Sequence, residues 1–98
     1  MRTIDANVIL RYLTNDVPGQ AKQAGELLNR VEAGIEEVFL SDLMLADIIW
    51  VLEGYYKQPR TQIRDWITTI LSLQGLEFSD KDVALRALDI YLDTGMDW

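Results

Sequence analysis

Three carboxylates, Asp5, Asp47 and Asp97, are the side chains of this 98-residue sequence best placed to do chemistry. The chain has no Cys and no His. That excludes Cys/His zinc sites, thiol nucleophiles and a Ser-His-Asp triad within it. Carboxylates, hydroxyls, amides, Lys and Arg remain, and the catalytic route open to such a set is acidic side chains around a hard divalent cation. Asp5 closes the first strand-like segment and is followed by Asn7. Ligands of open α/β sheets sit outside the carboxyl ends of strands, although a helix-capping Asp would occupy the same position. Asp47 is the only charge between Asp42 and Glu53. In so apolar a helix it is expected to be buried, and therefore neutral, bound to a cation, or paired with Arg2 or Arg11. Asp97 follows Gly95-Met96, where a further helix would start, and by itself reads as an N-cap.

The elements that must hold these residues follow from the apolar spacing. Thr3 to Ala6 reads as a buried strand and Asn7 to Leu13 as a short helix. After the Asn15-Asp16 and Pro18-Gly19 loop, Ala21, Ala24, Leu27, Leu28, Val31 and Ile35 trace one face of a long helix that ends near Gly34. Val38 to Leu40 is a second strand. Asp42 caps a helix to about Tyr55 that is apolar on almost every side and is expected to be buried. Pro59 opens another helix to Leu73, Leu76 to Phe78 is a third strand, and Ser79 with Asp82 resembles a capping box. A last helix buries Ala84, Leu85, Leu88, Tyr91 and Leu92 and stops at Gly95. The order β-α-α-β-α-α-β-α implies parallel strands in an α/β fold.

Length allows one domain, residues 1–98. Hydrophobic residues make up 49% and charged residues 26% of the chain, the balance of a globular domain. No segment is apolar enough to span a membrane and the N-terminus lacks a signal-peptide core, so the cytoplasm is the expected location. A net charge of −7 argues against broad clamping of nucleic-acid phosphates, but a cation in a carboxylate pocket would supply the missing charge. Glu36-Glu37 reads as a solvated loop pair. Lys57, Arg60 and Arg64, beside Tyr55, Tyr56 and Trp66, form the one basic patch apparent in the sequence, and it reads as a solvated helix face over core aromatics.

Two segments together, Ile4-Asp5-Ala6-Asn7-Val8-Ile9-Leu10-Arg11-Tyr12-Leu13 and Leu40 to Glu53, closely resemble the first two motifs of PIN domains of the VapC toxin type. The resemblance implies a three-layer α/β/α sandwich with a short parallel sheet. It also implies a metal-dependent endoribonuclease of a toxin–antitoxin pair, in which a water activated by Mg²⁺ or Mn²⁺ hydrolyses RNA. Asp5, Asp47 and Asp97 would be catalytic metal ligands, supported by Asn7 and Ser41. Asp47 stands where the family usually has Glu, one methylene longer. The end at Trp98 would leave the domain incomplete, without the family's C-terminal strands and with feeble or no activity. The implied partners are RNA, a cognate antitoxin and a second copy of the chain. With the later strands missing, Thr3 to Ala6 would become a sheet edge, inviting pairing or exchange of a helix or strand.

Two other functions bear weighing. A haloacid-dehalogenase-like phosphatase would need a second Asp two residues after Asp5, and Asn7 stands there. A non-catalytic PIN-like module that binds an antitoxin or itself would need no metal.

Overall fold

A computed structural model describes residues 2–95 and residue 98. The elements, in order, are β1 (Arg2–Thr3), α1 (Ala6–Thr14), α2 (Pro18–Glu32), β2 (Val38–Phe39), α3 (Asp42–Gly54), α4 (Arg60–Leu71), β3 (Leu76–Glu77) and α5 (Lys81–Thr94). Five helices surround a small parallel sheet of order β1-β2-β3. This is the mixed α/β class that the apolar spacing implied. Arg2 pairs with Val38 and Thr3 with Phe39, while Val38 and Phe39 pair on the other side with Leu76 and Glu77. β1 is thus an edge strand among the described residues.

The strands are short, but each runs into the core. Ile4, Val38, Leu40 and Leu76 are buried together with Leu45, Ile48, Ile49 and Leu52 of α3 and with Ile63, Ile67 and Ile70 of α4. Each such aliphatic side chain contributes about 1.5–3 kcal/mol on burial. α1 packs on α2 and α3, and α4 packs on α3 and α5. Gly75 lies where β3 meets the end of α2: its N–H donates to the Val31 carbonyl (2.9 Å), and its own carbonyl accepts from Val38 (2.9 Å).

Several expectations need correction. Ile35 was expected on the inner face of α2, but that helix stops at Glu32, and Ile35 is 77% exposed after the left-handed turn at Gly34. α3 is not buried all round. It is one-sided, with Leu43 73% and Trp50 77% exposed. Ser41, not Asp42, caps it by accepting the Met44 N–H (3.1 Å). Asp80, not Ser79, caps α5 by accepting from Val83 (3.1 Å), while Ser79 donates to Asp42 (2.8 Å). Glu36 is not a solvated loop acid, because Arg2 (3.1 Å) and Arg30 (3.4 Å) close on it from two sides.

The loop after α1 is clamped to the end of α3. Tyr56 donates to Asp16 Oδ2 (2.6 Å), Thr14 to Oδ1 (3.1 Å), and Arg11 lies 3.3 Å away. The Tyr56 hydroxyl, with smaller help from Thr14 and Arg11, holds the Asp16 carboxyl below its ordinary pKa. A depressed carboxylate pKa contributes stability that is whole above the unfolded value, about pH 4, and that is lost as pH falls through the folded value. Tyr56→Phe is expected to move Asp16 upward towards the ordinary range and to weaken this acid-side dependence. Carboxyl-resolved NMR titration checks it, and an unmoved Asp16 would remove the hydroxyl as the cause.

Candidate functional site

Parallel pairing brings two candidate residues together. The β1–β2 register continues through the Ile4 N–H, which donates to the Phe39 carbonyl (2.9 Å). Extended one step, the same register sets Asp5 beside Ser41 at the carboxyl edge of the sheet. Each is the N-cap of the helix that leaves its strand, Asp5 for α1 and Ser41 for α3. The start of α5, capped by Asp80, follows the third strand in the same way. Three helix N-termini therefore follow three parallel strands, and their partial positive charges favour anions there.

Asp5 is exposed, and its Oδ1 accepts the Asn7 backbone N–H (2.8 Å). The capping alternative thus describes one oxygen of Asp5, and Oδ2 has no partner among the described residues. Asp47, in the second turn of α3, is exposed as well. No charged or polar residue is buried among those described, so the expectation of a lone buried carboxylate is wrong. The misreading has a physical origin: Leu43 and Trp50, one turn before and after Asp47, are apolar residues on the solvent face. Nor do Arg2 and Arg11 neutralise Asp47, since they pair with Glu36 and Asp16. Its carboxylate makes no hydrogen bond or ion pair among the described residues. Asp97 lies outside the described residues.

Two open cavities flank these side chains. One, of about 550 Å³, runs along α3 and is lined by Asp47 with Leu43, Trp50, Glu53 and Trp98. The other, of about 510 Å³, lies between β1, α1 and α2 and includes Asn7. Asn7 and Asp47, expected to serve one site, line separate cavities. The patch at Lys57, Arg60 and Arg64 departs from a solvated face over core aromatics, since Tyr55 is 76% exposed and Arg60 is part-buried. Arg60 bridges to Glu53 (3.1 Å) and stacks over the Tyr91 ring (4.1 Å), and Arg64 pairs with Asp65 (3.3 Å).

Among the described residues no group of three or more Asp or Glu side chains could hold a metal ion together. Asp5 and Asp47 nevertheless have the right donor chemistry, hard oxygens free of competing cations. Mg²⁺ is commonly held by only one or two carboxylates, with waters and substrate phosphates completing its shell. The residues fit the ion in kind, and the described part of the chain offers two of them.

Comparison with protein-family models, with curated proteins and with solved structures finds no match for this chain. No helix among the described residues is long and apolar enough to cross a membrane.

Proposed function

We propose that this chain is the PIN-like domain of a VapC-type, metal-dependent endoribonuclease, acting on RNA in the cytoplasm and restrained by a cognate antitoxin. The observation that carries this reading is the parallel β1–β2 register, whose continuation puts Asp5 and Ser41, the N-caps of α1 and α3, at one edge of the sheet, with Asp47 on the helix that Ser41 opens. That placement agrees with the two motifs whose sequences resemble the family's. Asp5 and Asp47 would hold Mg²⁺ or Mn²⁺, which supplies charge against the phosphodiester and acidifies water. Ser41 fixes the start of α3 and so the direction in which Asp47 is carried. Asn7 holds the Asp5 carboxylate through its backbone N–H. The family's three-layer sandwich belongs to the same proposal.

The decisive experiment is incubation of the purified chain with single-stranded RNA and Mg²⁺. At most feeble cleavage is expected, and any cleavage should stop with a chelator and be lost in Asp5→Asn. Cleavage indifferent to both, or a chain that binds no Mn²⁺, would overturn the nuclease reading.

A second reading, a module that binds an antitoxin or another copy of itself, is favoured by one feature. Leu43 and Trp50 expose an apolar stripe on α3, and such patches mark association surfaces. Sedimentation at micromolar concentration separates a self-pairing chain from a monomer.

A further inference from the structure

We propose that the cleft between β1, α1 and α2 binds the phosphodiester backbone of a single-stranded polynucleotide. Three of the chain's nine basic residues, Arg2, Arg11 and Arg30, line this one cleft of a molecule whose net charge is −7. They come from three different elements, and with them stand the amide side chains of Asn7, Gln20 and Gln23. Gathering guanidiniums in one concavity lowers the repulsion that an acidic chain offers to a polyanion there.

The guanidiniums are held rather than loose. Glu36 takes Arg2 through Nη2 and Arg30 through Nε. Arg11 gives Nε to Gln20 (2.9 Å) and Nη1 to Asp16 and Tyr56. Each fork keeps further N–H donors without a partner among the described residues, in the planar geometry that suits phosphate oxygens.

The chemistry favours a polynucleotide over an acidic peptide. Peptide interfaces depend on aromatic or large apolar anchors in pockets, and the apolar residues of this cleft are only Val8, Ala24 and Leu27. Repeating charge with amide donors and acceptors alongside suits phosphates and base edges. The cleft also reaches Asn7, whose N–H holds Asp5. A strand lying in it would run towards the candidate catalytic carboxylate. The proposal deepens the nuclease reading and rests on it for its substrate, but binding can be measured with no metal present.

The test is fluorescence anisotropy of a labelled RNA of about 12 nucleotides, in chelator, as salt rises from about 50 to 200 mM. The Arg2→Gln/Arg30→Gln double variant is expected to bind about tenfold more weakly, with a log–log salt slope shallower by about 1.4, two contacts at about 0.7 each. Glu36→Gln, which unlocks both guanidiniums and removes a negative charge, is expected to bind about threefold more tightly; a purely structural Glu36 would give the opposite. An unchanged slope in the double variant would overturn the cleft, as would weaker binding by Glu36→Gln. Equal displacement of the RNA by a poly-glutamate peptide, or by inorganic phosphate at matched charge, would overturn the polynucleotide assignment. Metal-free binding that behaves as expected, in a chain that binds no Mn²⁺, would sustain the cleft and sink the nuclease. Cleavage with an unchanged slope would do the reverse.

Discussion

Gly75→Ala is expected to lower the stability of the fold by about 3 kcal/mol or more. A Cβ at this position would stand 2.2 Å from the Glu36 carbonyl oxygen and 2.9 Å from that of Val31. Both obstacles are backbone, so no side-chain rotation relieves them. Moving them would break the Gly75–Val31 hydrogen bond and pull β3 away from β2, since the Gly75 carbonyl also accepts from Val38. Overpacking a tight site costs about 1–3 kcal/mol and sometimes more, and two backbone clashes put this one at or above the upper end. A domain of this length has about 5–15 kcal/mol in all. Urea unfolding monitored by far-ultraviolet circular dichroism checks the expectation. A midpoint within experimental error of the parent would mean that α2 and β3 do not approach so closely.

Asp5→Asn and Asp47→Asn are each expected to weaken Mn²⁺ binding by on the order of 100-fold or more, because even groups behind the ligands cost about 10–100-fold when changed. The substitutions separate the metal from the fold. Asn caps helices about as well as Asp, so Asp5→Asn keeps the acceptor for the Asn7 N–H. Asp47 is exposed and makes no ion pair among the described residues, so Asp47→Asn is expected to change stability by less than about 0.5 kcal/mol. Electron paramagnetic resonance of free Mn²⁺ gives the affinity and a melting curve gives the stability. Either variant binding Mn²⁺ like the parent would remove that carboxylate from the proposed site.

The element order was legible because the helices carry their apolar residues at helical spacing and the strands are brief apolar runs between turns. The solvent face of α3 was not. Periodicity locates a buried stripe only when the opposite face is polar, and here Leu43 and Trp50 occupy that face. The same blindness turned Asp47 from an ordinary exposed carboxylate into an apparently buried one. At the start of α5, Ser79 and Asp80 are neighbouring residues that both cap helices well, and local sequence could not choose between them. The arginine cleft was invisible for a different reason. Arg2, Arg11, Arg30 and Glu36 are scattered along the chain, and only the folding of α2 back towards β1 brings them together. Gly75 was equally silent, since what surrounds it is backbone from residues about forty positions earlier. Asp5 could be placed at a strand end from sequence alone, yet its neighbour Ser41 follows only from the parallel register.

The open face of α3 also governs how the molecule would report on itself optically. Of its three tryptophans, Trp50 is exposed, Trp98 lies edge-on to Tyr91 and is partly covered, and Trp66 is half-buried against the core. Indole emission from this protein therefore has a surface contribution from Trp50 and a core-sensitive one from Trp66 and Trp98. The buried aromatic is Tyr91, a weaker emitter, its hydroxyl tied to Glu53 (2.7 Å). A dye-free fluorescence trace would follow the covering of Trp50 by whatever settles on that helix, with no label near the surface to disturb it.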